Sequence, residues 1–291
     1  MPAIAWLTAG GSAFCFALAL ILTQFGLRHL PAMLGAAISM VASTTAFWVL
    51  APKLLSGDTW IPTSGLIFAA VGVLFPAAVT LLTFESNKRM GPTVAGSLGN
   101  LAPLFAVLAA VIILDETLSW RHVAGVATIV IGVTVMSSRG RSGVSRSWPT
   151  LVVTLPLLAA AIRGGVQPAV KFGLLDWHNP FAAVLIGYTV SSAVVITAIT
   201  LRDHQWPRRI NKGGFVWFSC VGLCNGLAVL LLYTALSLGP VVLVSPTVAG
   251  YPLITLLLSL IFLRTSRPTW HQAIGVAMTV IGVAVLLISN K

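Results

Sequence analysis

The chain has 291 residues, of which 57% are hydrophobic and only 8% charged, with a mean hydropathy of +0.99. Soluble domains carry about 25% charged residues, so a water-soluble fold is excluded. The net charge of +11 does not read as a nucleic-acid footprint, because the basic residues are spread over short loops instead of gathering on one surface.

Taken in chain order, ten apolar segments are predicted to cross a bilayer: 4–26, 32–51, 64–84, 93–114, 120–137, 150–170, 180–200, 214–236, 241–263 and 270–289. Each approaches the roughly 20 residues needed to cross hydrocarbon, and together they leave no room for a soluble domain. Lipid satisfies no backbone polar group, so every span is expected to be helical. The first span has no basic leader and no clean cleavage site, so it reads as retained. Cys15, Cys220 and Cys224 fall within spans and read as small buried hydrophobes; no metal and no cofactor is expected.

The two halves repeat each other. Trp120 and Gly125 recur as Trp270 and Gly275, Ile131-Gly132-Val133 as Ile281-Gly282-Val283, and Val71-Gly72 as Val221-Gly222, all at an offset of 150. Gly91-Pro92 recurs as Gly239-Pro240 at 148, and Pro103 as Pro252 at 149. Five spans separate equivalent points, so the second copy must enter the membrane upside down. The expected fold is an all-α integral membrane protein of ten transmembrane helices. These form two inverted five-helix repeats, at 1–137 and 150–291, joined by a basic cytoplasmic linker at 138–149.

Basic residues set the orientation. With the N-terminus outside, twelve fall in inside loops: Arg28, Lys88, Arg89, Arg139, Arg141, Arg146, Arg202, Arg208, Arg209, Lys212, Arg264 and Arg267. Only Lys53, Arg121, Lys171 and Lys291 fall outside, which places both termini outside. Equivalent loops carry opposite charge bias, as an upside-down copy requires: Lys88-Arg89 precede Gly91-Pro92, whereas uncharged Ser237-Leu238 precede Gly239-Pro240.

These residues resemble the drug/metabolite transporter superfamily, and within it the EamA-like ten-helix carriers. The resemblance rests on Gly91-Pro92 through Pro103, on Leu114-Asp115-Glu116-Thr117-Leu118 running into Trp120 and Gly125, and on Pro252, Trp270, Gly275 and Gly282 in the second copy. The chain departs from the family at Arg264-Thr265-Ser266, where an acidic residue usually matches Glu116, so Glu116 reads as a structural loop residue. The chain is most similar to the YddG-type amino-acid exporters. The resemblance implies export of small metabolites across the bacterial inner membrane, most of all amino acids. Lipophilic drugs or anionic metabolites such as sugar phosphates are the alternative.

An arginine at a helix centre costs about 2.5–3.5 kcal/mol on insertion scales, so an intramembrane one points to function. Arg163 lies near the middle of span six, with Gly164, Gly165 and Pro168 expected to loosen the helix and Gln167 one turn away. In the repeat alignment Phe16 stands opposite Arg163. Arg163 is expected to face a central cavity and pair with a substrate carboxylate, Gln167 being a second contact; snorkelling to the outer interface is the structural alternative. Thr80, Phe84, Asn100, Asn225, Tyr233 and Tyr251 are further candidate substrate contacts, and Pro103, Pro168 and Pro252 candidate kinks or gates.

Other classes find no support. There is no His-Glu-x-x-His, and all five histidines lie near loops, so no catalytic residues are expected and the chain is not read as an enzyme. No ring of charges marks a channel. Span one holds no carboxylate, Glu85 alone among the acidic residues reaches towards the pathway, and His178 is a weaker titratable candidate. The sequence leaves proton coupling, facilitation and oligomeric state open.

Overall fold

The structure is a computed structural model that describes every residue except 1, 56–59, 91–94, 96–97, 138–149, 203–210, 263–269 and 290–291. The first half comprises α1 (Ala3–Gly26), α2 (Ala32–Leu54), α3 (Pro62–Gly72), a kink at Val73–Ala78, α4 (Val79–Met90), α5 (Ala102–Leu114) and α6 (Trp120–Ser137). The second comprises α7 (Thr150–Asp176), α8 (Pro180–Arg202), α9 (Lys212–Leu238), α10 (Val241–Ala249), α11 (Tyr251–Phe262) and α12 (Trp270–Ser289). Seven stretches are long and apolar enough to cross a bilayer, and Ala102–Leu114, Trp120–Val135 and Ala273–Leu286 are shorter apolar helices. The chain is therefore an all-helical, multi-pass membrane protein.

Seven of the predicted segments fall on the long stretches with shifted ends, and 93–114, 120–137 and 270–289 fall, in their described parts, on or before the shorter helices. Span three extends to Met90, and span six continues to Asp176, so Lys171 lies on α7 and is not a loop charge. The linker 138–149, Gly91-Pro92 and Arg264-Thr265-Ser266 lie outside the described residues.

Prolines mark the interruptions. Phe75 adopts φ −136° and ψ 129° directly before Pro76, because a proline ring crowds the α conformation of its predecessor. Asn100 and Leu101 form a turn ahead of α5, with Pro103 in its first turn, and Gly250 separates α10 from α11, with Pro252 in the first turn of α11. A first-turn proline lacks only an N–H that the helix would leave unpaired. Pro168 behaves differently, since α7 runs unbroken through it. The loosening expected around Gly164, Gly165 and Pro168 is absent. A Cβ on Gly164 would meet the Ala106 nitrogen at 2.7 Å and Phe105 Cβ at 2.8 Å, so this glycine lets the backbones of α7 and α5 touch.

Equivalent residues make the same contacts with the halves exchanged. Ser43 Oγ donates to the Gly222 carbonyl at 2.6 Å, and Ser191 Oγ donates to the Gly72 carbonyl at 2.5 Å. Phe218 covers Gly26 as Phe68 covers Gly173. Thr44 Oγ1 and Ser192 Oγ, equivalent by an offset of 148, meet each other at 2.7 Å. Gly125 faces Gly282, and Gly132 faces Gly275, so α6 ascends where its copy α12 descends. A two-fold axis that pairs a helix with its own antiparallel copy lies perpendicular to the helices, and so in the plane of a membrane. The repeat is inverted.

Small residues carry these approaches because lipid offers no hydrophobic reward for helix association. Ala5, Ala9, Ala13 and Ala17 form a buried stripe along α1 at a spacing of four, and Ser12 Oγ, on the same helix, donates to the Ala228 carbonyl of α9 at 2.7 Å. A Cβ on Gly222 would run into the Ser39 carbonyl, whereas one on Gly10 has nothing within 4 Å. Gly222→Val is therefore expected to destabilise the purified protein by about 1–3 kcal/mol. Gly10→Val should leave the melting temperature within a degree or two, and equal melting of the two variants would contradict this packing.

Candidate functional site

At 100° per residue, Ala160, Arg163, Gln167, Val170 and Leu174 share one face of α7. Ala160, Gln167, Val170 and Leu174 are buried, whereas Leu158 and Phe172 on the far side are exposed, so the Arg163 face looks into the protein and away from lipid. Arg163 itself is only half-buried. Among the described residues its guanidinium has no hydrogen-bond or ion-pair partner. A cation on an otherwise buried face, with exposure of its own and no protein partner, is the arrangement that a wet cavity produces.

Gln167 stands one turn above. It is 8% exposed, its Nε2 donates weakly to the Arg163 carbonyl at 3.4 Å, and its Oε1 is buried with no partner. Ser245, 3% exposed on α10, likewise has an unpartnered Oγ. A buried polar atom without a partner in the protein costs about 1–3 kcal/mol.

The remaining candidates fall into two sets. Phe16 on α1 meets Tyr251 at the start of α11, with ring centroids 6.1 Å apart. Thr80 and Phe84 on α4, Asn100 at the turn before α5 and Asn225 on α9 are half-buried. Tyr233, by contrast, is 3% exposed inside the main apolar cluster, together with Tyr188 and Phe47. The structure thus groups Arg163 with Gln167 and Phe16 with Tyr251, and sets Tyr233 in the core. Glu85 is held by Arg89 at 2.7 Å, and His178 is exposed. Cys220 and Cys224 are half-buried, and no group of three or more metal-ligating side chains gathers among the described residues.

Accessible space is distributed unevenly along the helices. Residues 241–246 of α10 are all buried, yet α11, which continues the same span beyond Gly250, has no buried residue on any face. Residues 80–85 of α4 are similarly open apart from the helix end. Burial therefore loosens beyond the Gly250 break, on the side of α11 and α4.

The opposite end is closed by contacts between the halves. Asp115 ends α5 in a left-handed conformation, φ 51° and ψ 31°, which short polar side chains tolerate. That turn delivers Glu116 to the start of α10, where Oε1 accepts from the Val241 N–H at 2.9 Å and Oε2 from the Val242 N–H at 3.0 Å. Lys171 Nζ donates to Glu116 Oε1 and to the Gly239 carbonyl, both at 2.8 Å. Beside this clasp, Trp177 packs against Trp60, centroids 5.0 Å apart, and against Phe68 at 6.0 Å. Glu116 is thus a structural residue of the loop after α5, as the sequence suggests, whereas Lys171, counted from the sequence among the outside charges, is its partner on α7. The available signal was the spacing of Arg163, Gln167 and Lys171, one helical turn apart on a single face.

Comparison with known proteins agrees with this architecture. A solved crystal structure superposes with a TM-score of 0.83 over 99% of this chain and 98% of its own, at 18% identity, which establishes the shared fold. No curated protein sequence matches the chain significantly. The EamA-like transporter family matches twice, over residues 3–138 and again over 150–288, one match for each repeat. On that double match, spanning nearly the whole length, the chain belongs to the EamA-like transporter family and is a membrane transporter of small molecules.

Proposed function

We propose that the chain exports amino acids across a bacterial inner membrane, with ten spans, both termini outside, and the two repeats rocking about a site centred on Arg163. The observation that carries this reading is the half-buried, partnerless guanidinium on the inward face of α7. A guanidinium binds a carboxylate through two parallel charge-assisted hydrogen bonds, and one arginine suits one carboxylate. The free Oε1 of Gln167, one turn away, is an acceptor suited to an ammonium group. Phe16, Tyr251 and Phe84 supply aromatic surface for an apolar side chain, and the breaks at Asn100–Leu101 and Gly250 give hinges beside Pro103 and Pro252. The excess of basic residues at the end carrying Arg28, Lys88 and Arg89 supports a cytoplasmic location for that end. A sugar phosphate carries more charge than a single arginine can offset, which favours the amino acid.

Counterflow in proteoliposomes with labelled amino acids, organic cations and sugar phosphates tests the substrate class. Saturable exchange of amino acids alone is expected, and exchange confined to another class overturns the reading. Arg163→Ala should raise the half-saturating amino-acid concentration about 10- to 100-fold, the equivalent of a lost charge-assisted hydrogen bond. Arg163→Lys, which keeps the charge and loses the fork, should fall between.

Solvent access to the site has its own measurement. With Cys15, Cys220 and Cys224 replaced by serine, Arg163→Cys is expected to react with a water-soluble maleimide, whereas Leu174→Cys on the same face, 2% exposed, should resist. An unreactive Arg163→Cys would return Arg163 to a packing role.

A further inference from the structure

The residues that form the clasp at Glu116 are not repeated at the equivalent positions of the other half. The inverted repeat maps Glu116 onto Ser266 at the offset of 150, and Lys171 onto Gln24 at the offset of 147 that relates Phe172-Gly173 to Phe25-Gly26. The whole stretch from Arg264 to Thr269 contains no carboxylate. The repeat-equivalent positions therefore cannot form the ion pair that Glu116 and Lys171 make.

The clasp also spans the parts that must separate for that end to open. Glu116 belongs to the first repeat, while Lys171, Gly239, Val241 and Val242 belong to the second. The carboxylate bonds both helix α7 and the amino end of α10, and its side chain is 10% exposed, that of Lys171 18%. Helix amino ends favour a carboxylate, and a buried carboxylate that loses its cation is left uncompensated, so the three parts hold or release together. Just beneath lie the unpartnered Gln167 and Ser245, on the inner side of the seal. Towards the other end, α11 and residues 80–85 of α4 are less tightly buried.

We propose that Glu116, by clasping Lys171 and the amino end of α10, latches the gate at the outer end of the transport pathway, and that this pair, which the repeat-equivalent Ser266 and Gln24 cannot form, biases the resting carrier towards cytoplasmic openness. The proposal rests on the alternating-access reading and is independent of which solute is carried. Glu116 and Lys171 are positioning residues: they touch helices and set which end is shut.

The test reads exposure directly. Ser245→Cys, in the full chain with the three native cysteines replaced by serine, places a near-isosteric reporter beneath the latch, and an impermeant maleimide is applied to either face of membrane vesicles. Lys171→Met removes the cation and leaves both N–H bonds to Glu116 in place; Glu116→Gln leaves a single acceptor oxygen. Both should speed labelling from the outer face by about fivefold or more, with labelling from the inner face unchanged or slower. Lys171→Arg should label like the parent. Outer-face rates within twofold of the parent for both variants overturn the latch, and so does faster labelling from both faces, which signals local unfolding. If Glu116→Gln does not assemble, Lys171→Met decides alone. Counterflow by the parent separates the two ideas: outer-face labelling that responds to the variants in a protein that exchanges no solute keeps the gate and rejects the carrier.

Discussion

Hydrocarbon gives two apolar helices no reason to leave lipid for each other, so α6 and α12, α2 and α9, and α5 and α7 meet where glycine or serine lets their backbones touch. Ser43 adds a hydrogen bond to the approach of α2 and α9, and Ser191 one to the equivalent approach of α8 and α3, each donated to a glycine carbonyl. The inverted symmetry is the sum of these approaches. Because the scaffold is fixed by backbone contact, the helices α1 and α7 can carry different side chains at equivalent positions, Phe16 in one and Arg163 in the other, without altering the frame.

Symmetry of frame and asymmetry of chemistry therefore coexist. The first repeat bends at Phe75 before Pro76, while α9 passes straight through the equivalent Asn225-Gly226. Both repeats break near the equivalent prolines Pro103 and Pro252, where turn residues precede a first-turn proline. Charges differ most: Glu116 and Lys171 close one end, and their equivalents, Ser266 and Gln24, are neutral. Arg163, with Gln167 one turn away on the same face, stands inward of the clasped end.

Much of this frame was legible in the residues. Offsets near 150 located the repeat, and Gly125 and Gly132 against Gly275 and Gly282 already named the pairs that touch. Single-residue roles that depend on distant partners were less so. Gly164 looked like a weak point in a helix because its neighbours Ala102 and Phe105 lie some sixty positions away in sequence. Lys171 was read as a loop charge because hydropathy falls near the end of span six, whereas the helix continues and its amine is held by a carboxylate 55 positions upstream. Tyr233 looked like a pathway residue by its polarity, yet its ring packs in the core, a distinction that hydropathy and spacing leave open.

The hydroxyl pair Thr44–Ser192 sits on the pseudo-dyad itself. A side chain in that place faces its own duplicate, so in an ancestor with two identical halves it had to be self-complementary. A hydroxyl both gives and takes a proton and satisfies that demand, whereas an ammonium or a carboxylate would have met its own charge. Divergence after fusion then allowed threonine on one side and serine on the other, with the mutual bond retained.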